Sequence, residues 1–196
     1  MPPVTRANPR SKMVCYELTK SQMRTCRQCA IEVTEQRAKW SKGRGSQWHK
    51  GQFDTPDVST RIGFFGEIAL YEILRVWFPK MPYPDIQVRR KVQKYDFDWN
   101  TPAGSKHEVK TTVASPDADA NYVRESAVKN ADVFWFMATE DPDCGIVFLR
   151  GWCTRSELLD LGLVKHGKGN WKNYVMETEL LRQLPEFLEF RNKRDS

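Results

Sequence analysis

The 196-residue sequence predicts an α/β fold in which a mixed β-sheet is flanked by helices, with an extra helix on its N-terminal side. Strict alternation of apolar and polar side chains over Lys94–Val113, broken by turn formers at Thr101–Ser105, predicts a β-hairpin. A continuous apolar run, Ala131–Ala138, has the length of a strand covered on both faces. Between Arg61 and Phe78 runs a segment that is apolar on most of a helical circumference and is ended by Pro79. Their order suits layers of helices over one sheet rather than separate all-α or all-β units.

Residues 1–16 read as a mobile basic tail, since Met1–Lys12 combines three prolines with Arg6, Arg10 and Lys12 and has no hydrophobic period. Residues 17–60 read as an N-terminal helix, from Thr19 or Ser21 to about Trp40, followed by a basic loop. In that helix Cys26-Arg27-Gln28-Cys29 has zinc-ligand spacing, and Cys15 and His49 are the available further ligands. No second paired motif accompanies it, so two cysteines on a buried stripe is the favoured reading. The loop sets Lys42, Arg44 and Lys50 around Trp48, a pattern that suits contact with a phosphate backbone and a stacked base, although a solvated loop has the same composition.

Residues 61–196 read as the core with a C-terminal extension. In the Arg61–Phe78 helix, Gly63 and Gly66 allow close approach of another element, and Glu67 shares a face with Leu70 and Leu74. A carboxylate there needs a nearby cation, because burying an uncompensated charge is costly; the alternative is that Glu67 ends at the rim of the core, a place that suits Glu72 better. Met81–Asp85 is a turn and Ile86–Val92 a basic strand. In the hairpin, stacking of the apolar faces forces Asp96, Asp98, Glu108 and Lys110 onto one face. Ser115–Ala120 is an acidic connection, and Tyr122–Asn130 reads as a short helix carrying Arg124 and Lys129 as further nucleic-acid contacts. A turn at Asp141–Gly145 leads to a strand over Ile146–Cys153, Thr154–Glu157 is a capping box, and a last helix spans Glu177–Leu184. His107 points to the face opposite Glu108 and reads as structural.

A formal charge of +6 suits a polyanionic partner. Five cysteines in no paired framework suit reduced thiols in a soluble intracellular protein, in the cytoplasm of the cell or of a host. No segment is long and apolar enough to span a bilayer. The sequence lacks a phosphate loop ending in Gly-Lys-Ser/Thr, a His-Glu-x-x-His helix and a Gly-x-Ser-x-Gly elbow, so those chemistries are set aside.

On its own, a face bearing Asp96, Asp98, Glu108 and Lys110 is either a solvated ladder of opposite charges or a magnesium site, magnesium being held by one or two carboxylates. Taken with Gly66-Glu67-Ile68-Ala69, Tyr95-Asp96-Phe97, Glu108-Val109-Lys110-Thr111 and the later Gly151-Trp152, the chain from Arg61 to about Leu159 resembles the PD-(D/E)XK nuclease superfamily. It looks especially like its small phage and prokaryotic members. The resemblance implies a restriction-endonuclease-like core with Asp96 and Glu108 as metal ligands, Glu67 as a supporting carboxylate counted with them at the metal, and Lys110 positioning the attacking water. It further implies Mg2+, with Mn2+ able to substitute, a DNA substrate, endonuclease action and room for a homodimer. Asp98 shares the face and stands as an alternative ligand. No proline precedes Asp96, and the literal Pro84-Asp85 lies far from Glu108. The competing readings are an inactive DNA-binding or assembly factor on the same fold and an RNA-directed nuclease.

Overall fold

A computed structural model describes residues 13–41, 56–84, 86, 99–100, 104–166 and 172–194. Met13 is followed at once by a short strand, β1 (Val14–Glu17), and then by α1 (Lys20–Ser41). Thr19 and Gln22 close the start of α1 reciprocally: the Gln22 N–H donates to Thr19 Oγ1 at 3.2 Å, and the Thr19 N–H donates to Gln22 Oε1 at 2.8 Å. The long apolar helix is α2 (Pro56–Leu74), which begins five residues before and ends four residues before the expected Arg61–Phe78, with proline at its first position.

The remaining elements are β2 (Trp99–Asn100), β3 (Lys106–Val113), β4 (Ala120–Arg124), α3 (Glu125–Val128), β5 (Val133–Thr139), β6 (Ile146–Thr154), α4 (Arg155–Leu161), β7 (Leu163–His166), β8 (Lys172–Glu177) and α5 (Leu184–Arg194), with a 3-10 turn at Thr178–Leu180. The larger sheet is mixed and runs β1-β6-β5-β3-β2. β3 and β5 are parallel, and the other neighbouring pairs are antiparallel. A smaller antiparallel sheet runs β4-β8-β7.

Alternation along β3 and β5 divides the buried apolar side chains between two layers. On one side of the larger sheet, Val133, Trp135 and Met137 pack with Phe65, Ile68, Ala69 and Leu70 of α2 and with Cys26 of α1. On the other, Phe134 and Phe136 pack with Val123, Val128, Cys153, Leu158 and Met176. All seven residues of β5 are buried, as expected for a central strand covered on both faces. Phe187 of α5 enters the first layer, with ring centroids 4.6 Å from Trp135 and 5.2 Å from Trp152. Both indoles keep an acceptor: Trp135 donates to His107 Nδ1 at 2.9 Å and Trp152 to the Gln183 carbonyl at 3.0 Å. His107 is thereby a core residue, as its strand parity predicts.

Several expectations are corrected. The tail boundary at residue 16 falls inside β1, which pairs with β6 across more than 130 residues (Val14 with Leu149, Tyr16 with Val147) and belongs to the core sheet. Tyr122–Asn130 is not one helix, because Ala120–Arg124 forms a strand paired with β8 and only Glu125–Val128 turns helical. The last helix is α5, and Glu177 instead ends β8. Glu72 is buried rather than at the rim, and is satisfied by Gln22 Nε2 at 3.1 Å and by an ion pair with Arg75. The capping box of α4 forms as read, with the Glu157 N–H donating to Thr154 Oγ1 at 3.2 Å and the Thr154 N–H to Glu157 Oε2 at 2.8 Å.

Cys26 lies in the core and Cys29 packs against it, on the buried stripe that the helical spacing predicts. Burial, aided by the charge of Glu67 among others, lifts the Cys26 thiol to about 12, and burial lifts that of Cys153 to about 12. Both thiols therefore keep their protons in the native protein when the unfolded chain, with ordinary thiols, loses them. The native state binds more protons above about pH 9, so this contribution to stability is complete below the ordinary thiol range and is lost as pH rises toward 12. At pH 8 a thiol reagent is expected to label exposed Cys144 in the folded protein and to reach Cys26 and Cys153 only on unfolding; rapid labelling of either in the native state contradicts this burial.

Candidate active site

β3 carries the candidate site. Its ladder with β5 runs without a break from His107 opposite Val133 to Val113 opposite Thr139. Glu108 stands beside Phe134, Lys110 beside Phe136 and Thr112 beside Ala138, on the sheet face turned away from α2. Val109 and Thr111 point the other way, toward α2.

On that face Glu108 is a buried carboxylate, 7% exposed, and it forms an ion pair with the half-buried ammonium of Lys110. A carboxylate this far from water needs such compensation, and Lys110 supplies it from the same strand face. The base of the strand is clamped by Asp132. The Lys106 N–H donates to Asp132 Oδ2 at 3.0 Å, the Asp132 N–H donates to the Lys106 carbonyl at 2.8 Å, and Arg155 pairs with Asp132 Oδ1 at 3.2 Å. Fixing both ends of this clamp sets the strand on which Glu108 and Lys110 sit.

Glu67 lies in the opposite layer. Its neighbour Gly66 is pressed against β3 so closely that a Cβ there would stand 1.8 Å from Thr111 Oγ1, and Thr111 is on the α2 side of the strand. Glu67 is half-buried. Only one of the two helix glycines makes such an approach, for nothing lies within 4 Å of a Cβ built on Gly63. Among the described residues, no three His, Cys, Asp or Glu side chains come together as a metal-holding group.

Asp96, Asp98 and Asp85 lie outside the described residues, as do Lys42, Arg44, Trp48 and Lys50 of the basic loop and His49. What is described of the hairpin's first arm pairs as predicted, Trp99 with His107 and Asn100 with Lys106. Arg124 and Lys129 are both exposed. Lys129 lines a groove of about 580 Å3 with Val128, Arg155, Leu159 and Tyr174, and Val128 belongs to the layer on the Glu108 side of the sheet.

Two features around β3 carry no signal in the sequence motifs. Arg150, at the register shift in β6, is fully buried, and it donates to the Pro116 carbonyl at 3.2 Å, the Ala120 carbonyl at 3.4 Å and Thr178 Oγ1 at 2.9 Å. It ties the connection after β3 to the end of β8. Burial pulls its pKa down while the carboxylates of Asp117 and Asp119 oppose that fall. The second feature is the pair of hydroxyls on Thr111 and Thr112, whose oxygens are buried without a hydrogen-bond partner among the described residues.

The Gly151-Trp152 pair sits at that same β6 irregularity. Gly151 has φ 147°, and a Cβ on it would meet the Arg182 carbonyl oxygen at 2.6 Å, so no larger residue fits while Trp152 exchanges backbone hydrogen bonds with Arg182. No helix among the described residues is long and apolar enough to cross a membrane. Comparison with family models, with curated proteins and with solved structures finds no match to this chain.

Proposed function

We propose that the chain is a magnesium-dependent nuclease that hydrolyses DNA phosphodiester bonds by endonucleolytic cleavage, built on a restriction-endonuclease-like core. The observation that supports it most is the buried Glu108 carboxylate paired with the Lys110 ammonium on one face of a central strand, two residues apart as the PD-(D/E)XK resemblance requires. By the resemblance Glu108 and Asp96 hold the ion, with Asp98 as the alternative donor, and Glu67, on α2 across the sheet from Glu108, is the supporting carboxylate.

Carboxylate oxygens are the donors a hard divalent ion takes, and one or two of them suffice for magnesium. When bound, the ion supplies charge neutralisation on the phosphodiester and a lowered pKa for the attacking water. Lys110 points a proton donor at the same place, orienting that water and offsetting charge that builds on the phosphoryl oxygens. A formal charge of +6, with Arg124 and Lys129 exposed and the basic loop at Lys42, Arg44 and Lys50, favours a polyanionic strand as the partner.

The test is incubation of the purified protein with single-stranded, double-stranded and branched DNA, and with RNA, with and without divalent metal. Cleavage of DNA is expected with Mg2+ and Mn2+, and binding without turnover with Ca2+. Equal cleavage in a chelator contradicts the mechanism. Tight, salt-sensitive binding with no metal-dependent product would instead establish a binding or assembly factor, and product from RNA alone would move the substrate to RNA.

A further inference from the structure

Lys110 stands midway along its strand face between a carboxylate and a hydroxyl. Successive residues on one face of a strand are about 6.6 Å apart, so Glu108 and Thr112 flank Lys110 at equal steps. Lys110 gives its ammonium to Glu108. Thr112 Oγ1 is buried and has no hydrogen-bond partner among the described residues. Buried polar atoms left unsatisfied are rare in native proteins, because each forfeits its hydration without recompense. Across the ladder on this face the side chains run Phe134, Phe136, Ala138, so the smallest of them lies beside Thr112. An acceptor that is unengaged among the described residues, beside the smallest side chain of this face, therefore lies one step beyond Lys110.

We propose that Thr112 is a positioning residue for Lys110: when the Glu108 carboxylate is engaged elsewhere, the ammonium turns to Thr112 Oγ1 and donates its hydrogen bond there. The inference rests on the hydrolase reading for the occasion of that turn, since a divalent ion taking the Glu108 oxygens also repels the ammonium beside them. Without an acceptor on its far side, Lys110 would then swing to solvent and lose its aim. Thr111, whose hydroxyl is equally without a partner, is on the opposite face and cannot serve.

The first arm of the test needs neither metal nor turnover. In a crystal structure of the metal-free Glu108→Ala protein, Lys110 Nζ is expected at about 3 Å from Thr112 Oγ1; an ammonium directed to solvent overturns the proposal. In the second arm, Thr112→Val is expected to lower kcat about ten- to a hundredfold with KM within about twofold, as for loss of orientation alone, while Thr112→Ser stays near wild type. Thr112→Val is isosteric and removes no hydrogen bond made among the described residues, so it should fold. Wild-type kinetics in Thr112→Val overturns the proposal, whereas a wild-type protein without metal-dependent cleavage overturns the hydrolase reading, and the Glu108→Ala structure decides the lysine's second position in either case.

Discussion

Lys110→Ala is expected to retain DNA binding and to lose metal-dependent cleavage by about a hundred- to ten-thousandfold, the range for removing a group that orients or exchanges a proton in the transition state. Binding survives because the other cationic groups, Arg124 and Lys129 among them, lie elsewhere on the surface. Glu108→Gln is expected to cost at least as much, and for a different reason: the amide keeps the shape but neither attracts a divalent ion nor balances Lys110. Asp96→Asn should match it, Asp98→Asn should fall below it, and Asp85→Asn should be neutral. Glu67→Gln should lower the rate only about 10- to 100-fold, as for a group that supports ligands without being one. A cleavage assay on this set reads the whole order, and Lys110→Ala cleaving as wild type does contradicts the proposed role.

Gly66→Ala is expected to destabilise the protein although alanine is the better helix former. In an open helix position the exchange gains about 1 kcal/mol. At position 66 the new Cβ would stand 1.8 Å from Thr111 Oγ1 and 3.0 Å from Thr111 Cβ, which no small shift relieves. Overpacking of this kind costs about 1–3 kcal/mol, or a fall in Tm of about 2–4 °C for each kcal/mol in a domain of this size. Gly63→Ala, with nothing within 4 Å of its Cβ, should be neutral or stabilising. Thr111→Ala removes the hydroxyl at 1.8 Å, which has no hydrogen-bond partner among the described residues, and leaves only the 3.0 Å contact with the residue-111 Cβ, so Gly66→Ala in that background should cost less than in wild type, a non-additivity that a double-mutant cycle measures directly. Thermal melts of the four variants test the contact. A Gly66→Ala protein as stable as Gly63→Ala would mean that α2 does not lie this close to β3.

The layer carrying the candidate site was legible because its signals are local. Glu108 and Lys110 share a strand face by parity alone, the apolar run over Ala131–Ala138 can only be a strand buried on both sides, and the Thr154–Glu157 pattern caps a helix using four consecutive residues. What could not be read depends on distant partners. β1 is four residues long and acquires its strand identity from β6, more than 130 positions away. Tyr122–Asn130 reads as a short helix, yet β8 supplies the hydrogen bonds of β4 and so decides the conformation of Ala120–Arg124. Arg150 carries no mark of burial in sequence, since arginine is ordinarily a surface residue; the carbonyls of Pro116 and Ala120, the Thr178 hydroxyl and the charges of Asp117 and Asp119 make a charge tolerable there. The two helix glycines looked equivalent and are not, because which of them faces a strand follows from how α2 is rotated about its axis. The side of the sheet that α2 covers sets Glu67 in the layer opposite Glu108, a relation that one-dimensional spacing does not contain.

Manganese soaked into crystals of the wild-type protein, located by its anomalous scattering, tests the central claim most directly. The account predicts one strong peak within about 2.3 Å of a Glu108 carboxylate oxygen, with an Asp96 oxygen in the same shell and the Lys110 ammonium turned away from Glu108. A map with no peak at Glu108, with the Glu108 and Lys110 pair intact under saturating manganese, would contradict it.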